Sequence, residues 1–325
     1  MNSLYPLKFK PIFKNKIWGG QKIKTELGMD FGDLPNCGEV WVLSGVKGNE
    51  SVVGEGFLKD NELNELIEVY MADLVGEKVY DKFGDEFPLL IKFIDANDWL
   101  SIQVHPDDVL AKKRNIGKGK TEMWYTLGAN KDTKLISGFK SEMNKDIYLE
   151  QLNKGTIKDV VNYEDVNNGD VFFIPAGRIH AIGPGMLLAE IQQTSDTTYR
   201  IYDWDRIGVD GNPRELHTDD ALDAIDFKVY NNYKSDYKSK LNETTEVVKC
   251  DKFITNILEF DKPIAKDVET MDSFIIYLAV EGNTILVWDE GDVKLDVGEA
   301  VLVPAYLSHI SLVPKTTSKL LEVYL

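Results

Sequence analysis

The sequence predicts a mainly β protein, built as two small antiparallel barrels of jelly-roll type with a few short helices attached to the first. Three observations lead there. Short β-rich runs alternate with Gly, Asn and Asp punctuation instead of with regular helices, the pattern of antiparallel sheets. A polar segment, Asn231 to Glu246, is poor in branched aliphatics and separates a long first part from a strand-dense remainder, which sets the domains at 1–235 and 236–325. The stretch Gly169-Asp170-Val171-Phe172-Phe173-Ile174-Pro175-Ala176-Gly177-Arg178-Ile179-His180 is echoed by Gly298-Glu299-Ala300-Val301-Leu302-Val303-Pro304-Ala305-Tyr306-Leu307-Ser308-His309. Both run Gly-acid, four mostly apolar residues, Pro-Ala, three residues, His, as expected of two units of one kind.

Strands are expected at Val40 to Leu43, Leu89 to Ile94, Ser101 to His105, Met123 to Leu127, Lys134 to Ile136, Val171 to Ile174 and Leu187 to Gln192. One helix is predicted over Asn61 to Leu74, with apolar residues at 63, 66, 67, 70, 71 and 74. A second covers Thr218 to Ile225 with Thr218 as N-cap, and a third covers Asp146 to Leu152. From residue 247 to 325 the chain reads as strands almost throughout.

Composition narrows the function. With 325 residues, 43% of them hydrophobic, and only 11 Pro and 25 Gly, the chain can bury one large core or two smaller ones. A net charge of −17 opposes broad attraction to nucleic acid or an anionic membrane, so neither is an expected partner. The two cysteines, Cys37 and Cys250, lie far apart, and the start Met-Asn-Ser-Leu-Tyr-Pro-Leu-Lys lacks the apolar core of a secretory signal, so a cytoplasmic location is expected. The longest apolar runs, such as Phe274 to Val280, are strand-sized and far below the roughly 20 residues that cross a bilayer.

The most informative stretch is Gln103-Val104-His105-Pro106-Asp107. Residues 103 and 105 alternate with Val104, so on a strand they share one face, where a single ion can take both. With Glu122 and His180 they form a set of imidazole, carboxylate and amide oxygen that suits one divalent first-row ion such as zinc, with a position left for substrate or water. Such a set describes a catalytic metal site better than a structural one. The second copy of the echo has no upstream Gln-x-His pair, so His309 lacks companions and reads as structural.

The turn–strand–Pro–His pattern of both copies resembles the second motif of cupin barrels. The order Ile17-Trp18-Gly19-Gly20, Leu100-Ser101-Ile102-Gln103-Val104-His105-Pro106-Asp107, Lys120-Thr121-Glu122-Met123, Pro175-Ala176-Gly177-Arg178-Ile179-His180-Ala181 and Glu190-Ile191-Gln192-Gln193-Thr194-Ser195-Asp196-Thr197-Thr198-Tyr199-Arg200 resembles type I mannose-6-phosphate isomerases in their short bacterial form. The resemblance runs to about residue 227 and includes Pro213-Arg214-Glu215-Leu216-His217. It implies a zinc enzyme interconverting mannose 6-phosphate and fructose 6-phosphate, with one zinc per chain on Gln103, His105, Glu122 and His180. It further implies Arg200 as the essential arginine, Lys120 at the substrate, Ser101 near the phosphate and Glu190 lining the pocket. Arg178 departs from the family's usual small residue before the ligand His.

Isomerising an aldose and a ketose through an enediol requires removal of a proton next to a carbonyl and stabilisation of the oxyanion that develops. Glu190, Lys120 or a water on the metal are the candidate bases. The phosphate needs local positive charge, and Lys112-Lys113-Arg114-Asn115-Ile116-Gly117-Lys118-Gly119-Lys120 is the most basic run in the chain. Arg200 adds a forked guanidinium for phosphate or enediolate oxygens, with a buried pair to Asp203 or Asp205 as the competing use. Glu190 has a competing role in orienting a ligand His. Trp18 reads as a barrel-closing aromatic more than a sugar platform, and His217 as a capping or packing residue. A double-barrel oxygenase and a non-catalytic sugar-phosphate sensor are the rival classes, opposed respectively by the mere four His and by the presence of Lys120, Glu190 and Arg200.

Overall fold

The computed structural model describes residues 4–208 and 211–325. Its strands form four antiparallel sheets. The largest has seven strands in the order Ile12–Lys14, Glu39–Ser44, Leu89–Ala96, Met186–Gln193, Glu122–Ala129, Val171–Ile174 and Lys234–Ser235. Next to it lies a five-stranded sheet of Tyr199–Tyr202, Ile102–Val104, His180–Ala181, Lys134–Phe139 and Val161–Asp165. The C-terminal part forms a second five-stranded sheet, Glu243–Lys249, Ile254–Phe260, Ser318–Tyr324, Ile275–Glu281 and Ala300–Val303. Its companion has four strands, Ile264–Asp267, His309–Pro314, Thr284–Trp288 and Gly291–Leu295. The mainly β, antiparallel architecture is the one predicted.

Burial explains why the central strands carry so few polar residues. The strands Leu89–Ala96 and Met186–Gln193 are buried at every position. One face of their sheet turns Val40, Leu89, Ile91, Phe93, Met123 and Ile191 into a core shared with Ile257, Phe274, Ile276, Leu321 and Val323 of the C-terminal sheet. The other face turns Ile94, Trp124, Phe172 and Leu188 inward with Trp18. The five-stranded sheet beside it is covered on its far side by the helices Lys145–Asn153 and Thr218–Ala224, through Tyr148, Ala221 and their neighbours. A sheet covered on both faces is stable only if nearly every side chain on it is apolar or paired. The exceptions therefore mark the interior site.

The helical prediction over Asn61 to Leu74 is corrected. The chain forms Leu63–Tyr70, started by a reciprocal Glu62–Glu65 capping box, and then Ala72–Val75. The break is at Met71, whose φ of 47° is incompatible with a continuing right-handed helix. Thr218 is the first helical residue and His217 occupies the cap position with no side-chain capping bond. Asn144 caps the helix predicted at 146, accepting from the Ile147 N–H.

The polar segment 231–246 is not a loose tether. Lys234–Ser235 extends the seven-stranded sheet beside Val171–Ile174, Lys234 pairs with Asp170 at 2.6 Å, and the Tyr237 hydroxyl donates to the Gly169 carbonyl. Sheet membership changes between Ser235 and Glu243. No helix among the described residues is long and apolar enough to cross a membrane.

Candidate metal centre and active site

Antiparallel register brings the sequence-distant candidates together. Gln103 lies opposite His180 on one side and Arg200 on the other within the five-stranded sheet. Facing them, the seven-stranded sheet sets Trp41, Lys92, Glu190 and Trp124 side by side on adjacent strands, with Glu122 opposite Gln192 one pleat away. Period-two alternation sends all of these to the interior.

His105, Glu122 and His180 converge so closely that one ligand atom from each lies within 4.8 Å of the others. His105 Nε2 is 3.5 Å from Glu122 Oε2, and His180 Nε2 is 3.3 Å from Glu122 Oε1. All three side chains are almost fully buried. His105 donates from Nδ1 to the Thr197 carbonyl at 2.9 Å, and His180 donates from Nδ1 to the Arg178 carbonyl at 2.8 Å. A carbonyl only accepts, so each ring carries its proton on Nδ1 and presents the Nε2 lone pair to the same space. His105 Nε2 and Glu122 Oε1 lack hydrogen-bond partners although they are out of contact with solvent, and Glu122 Oε2 has only the Lys120 ammonium, at 3.3 Å. Orphaned buried acceptors of this kind are costly, and a cation between them removes the cost.

Electrostatics agree. Burial, helped by the nearby Lys120 ammonium, holds the His105 imidazole well below its ordinary value, and burial takes His180 down to about 4. Both rings are therefore neutral, the form that binds metal. Burial and then the neighbouring Glu190 anion push Glu122 up to about 7. Gln103 donates from its amide to His180 Nε2 at 3.2 Å, while the Ser101 hydroxyl donates to Gln103 Oε1 at 3.3 Å. Turning the amide over places Oε1 beside His180 Nε2 and the amide NH2 beside the Ser101 oxygen, which accepts equally well. Two imidazoles, a carboxylate and an amide oxygen make a donor set that fits zinc.

Beside this cluster, with Gln103 in its wall, opens a cavity of about 280 Å³, lined by Trp18, Lys92, Ser101, Lys120, Glu190, Arg200 and Arg214 among others. Lys120 points into it with its ammonium 3.3 Å from Glu122 Oε2. Arg200 donates from one terminal nitrogen to the Glu215 carbonyl at 2.7 Å, while its buried Nε has no partner. The alternative pairing of Arg200 does not form: Asp203 is held by Arg206 and Arg214, and Asp205 by the Tyr202 hydroxyl. Burial, and then Arg214 nearby, lower the Arg200 pKa.

Glu190 is tied on both sides. Lys92 Nζ stands 2.8 Å from Oε1, and the Trp124 indole donates to Oε2 at 2.8 Å. Although burial opposes it, Lys92 and Lys120 hold Glu190 below the usual carboxylate range, so it is an anion. It does not contact a ligand His. Lys92 also faces Glu39 at 3.8 Å, and Glu39 in turn meets Lys16 at 3.2 Å and accepts from the Trp41 indole. Burial alone would raise Glu39; Lys92 and Lys16 outweigh it and bring the carboxyl down to about 2. Sequence reasoning missed Lys16, Glu39, Lys92 and Arg214. The available signal was a lone Lys in the apolar run Leu89-Leu90-Ile91-Lys92-Phe93-Ile94.

Most of the basic run stays outside. Residues 108–114 form a helix capped by Asp107, Lys112 and Lys113 are exposed, Arg114 pairs with Asp220 and Asp223, and Lys118 pairs with Glu86. Only Lys120 enters the cavity. Arg178 does not shape the cavity rim either: its guanidinium lies over Tyr230 and Tyr233, at 4.6 and 5.1 Å, and donates to the Phe173 carbonyl. Trp18 is buried at the cavity wall. His217 accepts from the Arg200 backbone N–H, and His309 is exposed at a strand start.

Residues 6–146 match the family profile described as "Phosphomannose isomerase type I, catalytic domain". The chain is 33% identical to a mannose-6-phosphate isomerase of Bacillus subtilis over 313 residues, covering 94% of this chain and 95% of that one. It is 37% identical to a mannose-6-phosphate isomerase of Streptococcus mutans over 220 residues, covering 68% and 67%. Among solved structures, the mannose 6-phosphate isomerase from Bacillus subtilis superposes with a TM-score of 0.88 at 29% identity, over 98% of this chain and 99% of that one. A putative mannosephosphate isomerase from Archaeoglobus fulgidus, 21% identical, shares the fold with a TM-score of 0.79 over 98% and 97%.

Proposed function

The chain belongs to the type I mannose-6-phosphate isomerase family, and from that premise we propose that it interconverts mannose 6-phosphate and fructose 6-phosphate at one zinc ion held by Gln103, His105, Glu122 and His180. The observation that carries the metal assignment is the set of acceptors, His105 Nε2 and the two Glu122 oxygens, buried within reach of one another beside a polar cavity that Gln103 and Lys120 line. A bound zinc would supply Lewis-acid polarisation of the two substrate oxygens between which the carbonyl migrates.

The chain's own groups do the rest. In the open-chain sugar the proton leaves C2, an enediol forms, and a proton is returned at C1 while a hydroxyl proton passes from O2 to O1. Lys120, which points into the cavity with Glu122 as its one ion-pair partner among the described residues, is the candidate proton carrier; its ammonium first gives a proton to a substrate or solvent oxygen, and the free amine then takes the C2 proton and returns it at C1. Glu190 is the weaker candidate: with both oxygens engaged, its part is to fix Lys92 and Trp124 in the wall. Arg200 offers the free Nε edge of its guanidinium to anionic oxygens of the substrate. Ser101, at the same wall, holds Gln103, and the family resemblance assigns it to the phosphate end of the substrate. The chain is read as two units, 1–235 carrying this site and 236–325 packed behind it, with a small sugar phosphate as substrate and the cytoplasm as its place of work.

The test is metal analysis with a coupled isomerase assay. His105→Ala and His180→Ala should each lose bound zinc and turnover together, since one missing ligand in about four leaves an incomplete shell. Full activity with normal zinc in either variant contradicts the site.

A further inference from the structure

We infer that Lys252, contributed by the C-terminal part of the chain, is a positioning residue for Lys120, acting through Asp108. The inference rests on the isomerase reading above. Lys252 sits in the turn that joins the strands Glu243–Lys249 and Ile254–Phe260, a turn closed by the Cys250 N–H donating to the Phe253 carbonyl. Its ammonium lies 2.7 Å from Asp108 Oδ2. The other oxygen of the same carboxylate accepts from the Gly119 N–H at 2.8 Å and from the Gln193 amide at 3.1 Å. Gln193 in turn accepts from the Thr121 N–H at 3.0 Å. Lys120 is thus bracketed, with both of its backbone neighbours fastened to one network whose outer end is Lys252.

Two further details make the segment sensitive to that network. Lys120 donates its own N–H to the Pro106 carbonyl, next to the ligand His105. A Cβ at Gly119 would stand 2.5 Å from the Asp108 backbone nitrogen, so the segment and the Asp108 turn are in backbone contact with no slack between them. Asp108 is part-exposed. Without a cation on Oδ2 its carboxylate is free to turn toward water, which takes Oδ1 away from Gly119 and Gln193. Glu122, by contrast, lies in a strand fastened on both sides, to Gln192 and to Ile174. Removing Lys252 should therefore move Lys120 and leave the metal ligands in place.

An ion pair exposed on one side contributes little to overall stability, which allows positioning to be separated from folding. In the full-length zinc-loaded enzyme, Lys252→Met keeps the aliphatic stem and removes the charge. The expected result is a kcat for mannose 6-phosphate lowered about three- to tenfold, a KM within about twofold, unchanged zinc per chain, and recovery of most of the loss in Lys252→Arg. Adding Lys252→Met to Asp108→Asn should cost nothing further, because both act through one carboxylate. A wild-type kcat in Lys252→Met, a loss that Arg does not restore, or a loss accompanied by loss of zinc each overturns the inference. A wild-type protein that loads zinc but does not isomerise mannose 6-phosphate defeats the isomerase reading, and this inference with it.

Discussion

Replacing Lys92 by Met removes one ammonium from the middle of a sheet and keeps the aliphatic stem that packs there. Lys92 is only 5% exposed, and its ammonium serves two carboxylates, Glu190 at 2.8 Å and Glu39 at 3.8 Å. Glu39 retains Lys16 and the Trp41 indole, so its loss is partial. Glu190 retains only the Trp124 N–H and becomes a buried anion without a cation in contact. Removing one partner of a buried pair typically costs about 3–5 kcal/mol. At about 2 °C per kcal/mol for a chain of this size, the melting temperature should fall by about 6–10 °C. The double variant Lys92→Met with Glu190→Gln should regain a substantial part of that loss, because the amide still accepts from Trp124 and carries no charge. Thermal and urea unfolding followed by circular dichroism measure both effects. A single variant within 2 °C of the wild type, or a double variant no more stable than the single, would refute the claim that Lys92 neutralises the wall of the cavity.

Two other outcomes follow from the same geometry. Arg200→Lys should keep its zinc and fold while losing roughly 100-fold in turnover, since a point-charge ammonium cannot reproduce the forked donor; kinetics equal to wild type would take Arg200 out of the reaction. Asp95 accepts from the Lys22 N–H at 2.6 Å, and burial raises it from 3.8 to about 6. The folded chain therefore holds a proton there that the unfolded chain releases, and this group's contribution to stability is full below pH 3.8 and is lost as pH rises to about 6. The stability of Asp95→Asn relative to wild type should accordingly rise by about 2–3 kcal/mol between pH 4 and pH 7; a difference that stays flat over that range would show that Asp95 titrates normally.

The parts of this molecule that were legible in the sequence are those written in short-range pattern. Gln103 and His105 announce a shared face through their spacing of two, although the strand itself is only Ile102–Val104, shorter than the expected 101–105, and His105 follows one residue past its end. Glu122 and His180 fall inside short motifs that are weak singly and become recognisable through their order along the chain. The charged wall was hidden because Lys16, Glu39 and Lys92 come from three separate segments, and their association is a matter of strand order in the sheet, which no local window records. The break at Met71 was hidden for the opposite reason: apolar periodicity runs unbroken through it, and only the backbone angle reveals that the chain turns there. The basic run was misleading in another way. Its charges are real, but a helix from 108 to 114 points most of them at carboxylates or water and leaves Lys120 alone inside.

The most direct test of the central claim is a zinc titration of chelator-stripped protein, followed by the rate of mannose 6-phosphate isomerisation. The four proposed ligands predict negligible turnover without metal and a linear rise that levels off at one zinc per chain. Full turnover in the stripped protein, or a plateau that His180→Ala reaches at the same single equivalent, would contradict a catalytic zinc on Gln103, His105, Glu122 and His180.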